Sequence, residues 1–205
     1  MRGMGDKFDE FTQFFRDIRD KTENYAQYRA INKLGPILFF IFLKTRGILL
    51  VLPEFLDSFQ LKYAEFTKDL KKVLRFYPEF KSRDKRFIIK EYIANILKSV
   101  GLDEDITSNA LTLFEHFYPL IQYTKEEVIT AVICVLTTIS FELYEITMNL
   151  ICEKAGIRQS SLKKYFKKKI FPYLGIPDNI ALRYSFDVIK DEIRKKFLLL
   201  ESKGK

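Results

Sequence analysis

Apolar residues recur every three to four positions along most of the chain, and this spacing predicts amphipathic helices. In the first half the series cover 8–18, 28–44, 48–60 and 66–77. Gly47 is expected to end the second of these helices, and Pro78 the fourth. The charged stretch 79–85 interrupts the pattern and predicts a linker between two halves.

The second half predicts helices with clearer boundaries, at 87–99, 104–118, 128–139, 141–154, 159–171 and 179–200. Gly101 should close the first of them and Asp103 should cap the next, which Pro119 should end. Thr124 with Glu127 fits a capping box ahead of the helix at 128–139. That helix is apolar on every face and should be buried on all sides. We predict an all-α fold.

The two halves resemble each other when one is displaced by 92 positions. Apolar residues then coincide without a gap, as with Ile37 on Ile129, and Lys71-Lys72 falls on Lys163-Lys164. A period of this length favours two copies of a small helical domain over a solenoid. We expect one copy at 1–80, a second at 81–175, and a C-terminal helix and tail at 176–205.

The segment 148–171 has the pattern of a helix-turn-helix. Gly156 supplies the positive φ that such a turn requires. Cys152 is small where two helices approach closely, and Ile157 and Leu162 should fill the angle between them. This segment is therefore the main candidate for a functional site.

Charge sharpens this hypothesis. The chain has 35 Lys and Arg against 27 Asp and Glu, a net charge of +8, and the stretch 158–169 holds six basic residues and no acid. With Leu162 facing inward, the helix should present a cationic face to the major groove of DNA. The predicted DNA-binding residues are Arg158, Gln159, Ser160, Lys163, Lys164, Lys167 and Lys168. The alternative is a solvated face that only keeps the protein in solution.

Composition excludes several other classes. With 47% hydrophobic residues, 8 Gly and 6 Pro, the chain is not a disordered tail, a collagen-like fibre or a disulfide scaffold. Cys134 and Cys152 should be buried thiols, and with His116 as the single histidine we expect no metal site, no cofactor and no catalytic residues. The longest run of the chain that holds only apolar residues, 36–43, is too short to span a bilayer. The charged residues at the start of the sequence are unlike a signal peptide. We therefore expect an intracellular protein that is not an enzyme, with no membrane partner and no small-molecule substrate.

Residues 127–170 resemble the second cyclin-like repeat of transcription initiation factor IIB and its archaeal homologue, factor B. The resemblance rests on ITAVICVLTTISFELYEITMNLICEKAGIRQSSLKKYFKKKI, in which AG precedes an aliphatic residue and SSLKKYFKK stands where the family has VTIRxRYKE. The upstream helices at 87–99 and 104–118 look like the first two helices of that repeat. The first half looks like a degenerate first repeat that lacks its opening helix.

The resemblance implies a five-helix cyclin fold in a DNA-binding transcription factor. Its base-contacting positions correspond to Ser160, where the family has valine, and Lys163, where it has arginine. Lysine cannot form the two-pronged hydrogen bond of arginine to guanine, so we expect phosphate contacts rather than the family's sequence readout. The family would also imply a TATA-binding protein or an RNA polymerase as partner. The sequence contains no zinc ribbon, so a full-length protein of this sequence would be a divergent or accessory relative involved in transcription regulation. The alternative is a trimmed piece of a longer factor.

Two alternatives stay open at this point. The cyclin fold also serves as a protein–protein adaptor, which would hold a partner without binding DNA. Phe76, Tyr77 and Phe80 could form such an interface or could pack into the core. The last helix could lie on a membrane surface, but a helix that closes over the second repeat explains its apolar stripe more simply.

Overall fold

A computed structural model describes residues 4–22, 31–177 and 186–201, and every regular element in these ranges is helical. The predicted all-α class is confirmed. The chain separates into two compact units between Ile88 and Ile89, inside the first turn of a helix. The linker predicted from the charged stretch 79–85 lies slightly earlier in the chain than this division.

The first unit contains four α-helices and a short 3₁₀ turn in its described part. They are α1 (Met4–Thr22), α2 (Ile31–Thr45), α3 (Leu52–Ser58), α4 (Tyr63–Val73) and the 3₁₀ turn Pro78–Phe80. Gly47 follows α2 in the left-handed conformation, with φ of 66°, as predicted. The prediction that α4 runs to Tyr77 is wrong. The helix ends at Val73, and Pro78 opens the 3₁₀ turn because its fixed φ suits a first helical position.

Several phenylalanine rings pack together with aliphatic side chains in the core of the first unit. The rings of Phe11 and Phe39 meet edge to face with centroids 5.2 Å apart, and those of Phe40 and Phe66 do so at the same distance. This geometry places the positive ring edge against the negative ring face. Phe80 is buried in this core, and Phe76 and Tyr77 pack against it. The three aromatics at the predicted linker therefore serve packing.

The second unit is built from seven α-helices and one π turn in its described part. They are α5 (Lys85–Ser99), whose first turn precedes the division between the units, α6 (Glu104–Ile121), α7 (Glu126–Ser140), α8 (Met148–Lys154), α9 (Gln159–Tyr165), the π turn Phe166–Ile170, α10 (Phe171–Leu174) and α11 (Phe186–Glu201). The last helix was predicted from residue 179, but 178–185 lie outside the described residues. Asp103 caps α6 as predicted, because its Oδ1 accepts the Ile106 N–H at 2.9 Å.

Three predicted boundaries in this unit are wrong. Pro119 lies inside α6, which continues to Ile121. The N-cap residue of α7 is Lys125 rather than Thr124, and the Lys125 side chain forms no capping hydrogen bond. Residues 141–147 form turns rather than the start of a helix, because Glu142 takes a φ of 59° and closes α7.

Helix α7 is the centre of the second unit. Every side chain from Ile129 to Ile139 is buried, as its uniformly apolar sequence predicts. Its buried hydroxyls are satisfied within the helix, since Thr130 and Thr137 each donate to a carbonyl four residues earlier at 2.9 Å. Helices α6, α8, α9 and α11 all pack against it. The helix-turn-helix is therefore anchored on the most buried element of the unit.

One carboxylate joins α11 to the end of α7. Glu142 Oε1 lies 3.1 Å from Lys190 Nζ and 3.3 Å from an Arg194 guanidinium nitrogen. Ile189 and Ile193 of α11 are buried beside these pairs. No helix in the described ranges is long and apolar enough to cross a membrane.

Candidate nucleic-acid interface

The turn between α8 and α9 closes in a defined hydrogen-bond pattern. Gly156 has a φ of 66°, its N–H donates to the Glu153 carbonyl at 3.0 Å, and the Ile157 N–H donates to the Cys152 carbonyl at 3.0 Å. These two bonds define a Schellman motif, which reverses the chain direction within a few residues. At the start of α8, the Thr147 hydroxyl accepts the Leu150 N–H at 3.2 Å. The predicted helix-turn-helix is thus present in its local geometry.

The inner face of this motif is apolar and closed. Ile151, Cys152, Ala155 and Leu162 are buried, whereas Ile157 is only half-buried, so Leu162 is the main contact between the helices. Burial raises the pKa of the Cys152 thiol to about 11, although the charge of Lys163 acts in the opposite direction. The thiol is therefore neutral at physiological pH and serves packing.

The outer face carries the predicted DNA-binding residues. Gln159 is half-buried, and the other six are exposed: Arg158, Ser160, Lys163, Lys164, Lys167 and Lys168. The sequence has no acidic residue between Glu153 and Asp178. Within the described ranges, none of these basic groups has a carboxylate partner. The result is a band of uncompensated positive charge along one side of α9 and of the π turn that follows it.

A π turn extends this band by a residue that the sequence prediction omitted. The Phe171 N–H donates to the Phe166 carbonyl, five residues earlier, and Lys167, Lys168 and Lys169 are all exposed. On a regular α-helix Lys169 would lie only about 20° from the buried Leu162, facing the core. A helical wheel therefore places Lys169 on the wrong side, because it assumes 100° per residue and a π turn contains one extra residue.

The first unit contains the same motif, at a displacement of 96 positions rather than the predicted 92. Helices α3 and α8 match in length, and Gln60 has a φ of 52° where Gly156 stands in the second unit. Gln60 donates to the Asp57 carbonyl and Leu61 to that of Leu56, which is the same Schellman pattern. The register of 92 is thus wrong by about one helical turn, an error that apolar matches cannot detect because helical periodicity repeats at that interval.

The corresponding helix of the first unit has a mixed charge. At the displacement of 96, Lys68, Lys71 and Lys72 coincide with Lys164, Lys167 and Lys168. However, α4 also carries Glu65 and Asp69, and Lys72 Nζ lies 3.3 Å from Asp69 Oδ1. The uncompensated positive face is therefore a property of the second motif.

Other groups that could carry chemistry serve structure instead. His116 Nε2 forms a hydrogen bond of 3.0 Å with the Tyr173 hydroxyl, which ties α6 to α10. Cys134 is a fully buried free thiol, and its burial raises its pKa strongly. In the described part of the chain, no three His, Cys, Asp or Glu side chains are grouped so that they could hold a metal ion.

Comparison of the sequence with protein-family models and with curated proteins finds no match. Conclusions about function therefore depend on the geometry and charge of the site itself.

Proposed function

We propose that this protein binds duplex DNA, with α9 of the second helix-turn-helix placed in the major groove. One observation carries this proposal. The segment from Arg158 to Lys169 exposes six basic side chains, has no acidic neighbour in sequence, and is held by a buried face centred on Leu162. A solvated face that only promotes solubility would not need to be fixed on a defined turn and a closed inner surface.

The electrostatics favour contacts with the phosphate backbone. Each phosphate that a lysine or arginine neutralises releases condensed counterions, so affinity falls with salt by a slope of about 0.9 per contact on logarithmic axes. Lys163 and Lys167 lie about one turn apart, with Lys164 next to Lys163, so the three exposed ammonium groups can contact neighbouring phosphates of one strand. Arg158, Gln159 and Ser160 lie at the N-terminal end of α9, which is the end that contacts base edges in helix-turn-helix proteins.

The order of elements supports a role in transcription. The first five of the seven described helices in the second unit, α5 to α9, end in the helix-turn-helix, and the first unit has four described helices that end in its counterpart. This order fits two cyclin-like repeats, the first without its opening helix, as the resemblance to initiation factor IIB implies. The proposal is thus an intracellular DNA-binding relative of that factor, which would associate with a TATA-binding protein or an RNA polymerase. Pull-down with either purified partner tests this part.

A protein–protein adaptor is the second candidate. It is favoured by two exposed aromatics at the turn of the first motif, Phe59 and Tyr63, with exposed fractions of 40% and 62%. Aromatic side chains are enriched at protein interfaces. This candidate predicts that replacing both by alanine abolishes capture of the protein partner while leaving DNA binding intact.

Fluorescence anisotropy with a labelled random-sequence duplex, titrated at several salt concentrations, tests the main proposal. The variant Lys163→Ala/Lys164→Ala/Lys167→Ala should lose most of the affinity, and its salt slope should fall by roughly 3 relative to the parent. The matched control is Lys62→Ala/Lys68→Ala/Lys71→Ala in the first unit. It removes the same charge from three exposed lysines of the other helix-turn-helix.

The control variant should bind nearly as tightly as the parent. If the α9 variant binds as well as the parent, the proposal is wrong. Equal losses in both triple variants would mean that net charge, not α9, determines binding, and this result also contradicts the assignment. Selection from random duplexes then determines whether α9 has sequence preference.

A further inference from the structure

The π turn at Phe166–Ile170 gives the second helix-turn-helix one residue more between buried positions than α4 has in the first unit. In the first unit, Phe66 and Val73 are both buried on α4, seven residues apart. In the second unit the buried residues of the corresponding helix are Leu162, Phe166 and Ile170, of which the first and last are eight residues apart. The two helices hold the same register up to that point, so the π turn accommodates a single extra residue.

The extra residue changes which side chains face outward. An added residue rotates everything after it by about 100° on the helix. Ile170 thereby takes the inward position that Lys169 would occupy on a regular helix, and Phe171 is buried instead of facing solvent. Lys169 is exposed beside Lys167 and Lys168, so three consecutive lysines project from a single turn.

This arrangement costs stability. π turns are rare in helices, and three ammonium groups on adjacent residues repel one another. In the first unit the corresponding helix α4 is regular from Phe66 to Val73 and ends there, so its two buried residues are reached without such a turn. π turns inside helices occur frequently at functional sites.

We propose that the π turn is an insertion that adds Lys169 to the phosphate-binding face of α9. This inference rests on the proposed function and extends its site: the turn raises the number of backbone phosphates that one helix can neutralise. The ligand is the phosphodiester backbone of duplex DNA, which Lys167, Lys168 and Lys169 contact together.

Two variants test the role of the turn with the same labelled duplex. Lys169→Ala removes the charge and keeps the turn. Deletion of Lys169 restores the seven-residue spacing of the first unit, so the helix can continue as regular α with its apolar residues inward. Both should lower the salt slope by about 0.9 and the affinity at about 0.1 M salt by roughly five- to tenfold. Lys98→Ala, an exposed lysine on α5, is the matched control and should bind like the parent.

The outcomes separate this inference from the proposed function. If Lys169→Ala binds like the parent while the Lys163, Lys164 and Lys167 triple variant loses affinity, the role of the π turn is refuted and α9 remains the DNA-binding helix. If neither variant loses affinity, both proposals are wrong. Equal losses for Lys169→Ala and Lys98→Ala would also refute the inference, because the effect would then follow net charge. Circular dichroism of the deletion variant checks that its helix content is retained, and if it unfolds, Lys169→Ala decides.

Discussion

Replacing Gly156 by alanine should destabilise the second unit without changing the charge of the site. This residue has a φ of 66°, which the turn of the helix-turn-helix requires. A residue with a Cβ pays about 1–2 kcal/mol in this conformation. Alanine also restricts the unfolded chain more than glycine does, which offsets about 0.4–1 kcal/mol of that cost. The expected net loss in the free energy of unfolding is therefore about 1 kcal/mol.

The first unit offers the reciprocal substitution at the equivalent position. Gln60 adopts a φ of 52° in the same hydrogen-bond pattern, so it already pays the conformational cost. Gln60→Gly should therefore stabilise its unit, by about 0.5–1 kcal/mol after the larger unfolded-state entropy of glycine is counted. The two substitutions should therefore change the free energy of unfolding in opposite directions, because both turns require the same positive φ.

Urea denaturation followed by far-ultraviolet circular dichroism measures both effects, because the chain has no Trp for fluorescence. Gly101→Ala is the control for steric clashes. Gly101 has a φ of 82°, and a Cβ added there meets no neighbouring atom within 4 Å, so its cost is purely conformational. If Gly156→Ala is as stable as the parent while Gly101→Ala is not, the reasoning about the turn at Gly156 is refuted.

Two further predictions concern titratable groups of the second unit. The hydrogen bond from Lys190 and the nearby positive charges lower the pKa of Glu142, so this pair stabilises α11 at neutral pH and is lost as pH falls below the usual carboxyl range. The hydrogen-exchange protection factors of α11, which are corrected for the intrinsic rate at each pH, should fall in acid for the parent. Glu142→Gln should have lower protection factors already at neutral pH, and identical profiles of the two proteins would contradict this. Burial raises the pKa of Cys152 to about 11 and that of Cys134 further, so thiol reagents at pH 8 should modify neither residue until denaturant opens the fold. Modification of the native protein at the rate of a free cysteine would contradict the burial of these thiols.

Local sequence was sufficient for features that neighbouring residues decide. Asp103 was predicted to cap α6 because its short side chain can reach an N–H three residues later, and the structure has that bond. Gly156 was predicted at the turn because glycine tolerates positive φ. The complete burial of residues 129–139 in α7 followed from its uniformly apolar faces.

Boundaries without a distinctive residue type were predicted poorly. Glu142 ends α7 in a left-handed conformation that glutamate seldom adopts, and its pairs with Lys190 and Arg194 lie about fifty positions away in sequence. The preceding helix passes through Pro119, although proline usually ends a helix. Such features depend on what packs against the segment, which local propensity does not contain.

By itself, the sequence determined that this protein is helical, that it holds a helix-turn-helix at 148–171, and that basic residues cluster there. Only the tertiary structure decided at which sequence displacement the two units match and in which direction Lys169 points. The reason is physical, because helical periodicity repeats every turn and so cannot distinguish displacements that differ by one turn. The matching turns at Gln60 and Gly156 select the displacement of 96, and burial of Leu162, Ile170 and Phe171 determines the direction of Lys169. The sequence predicts the cationic face, but the packing of the core on the opposite side of the helix determines which lysines belong to it.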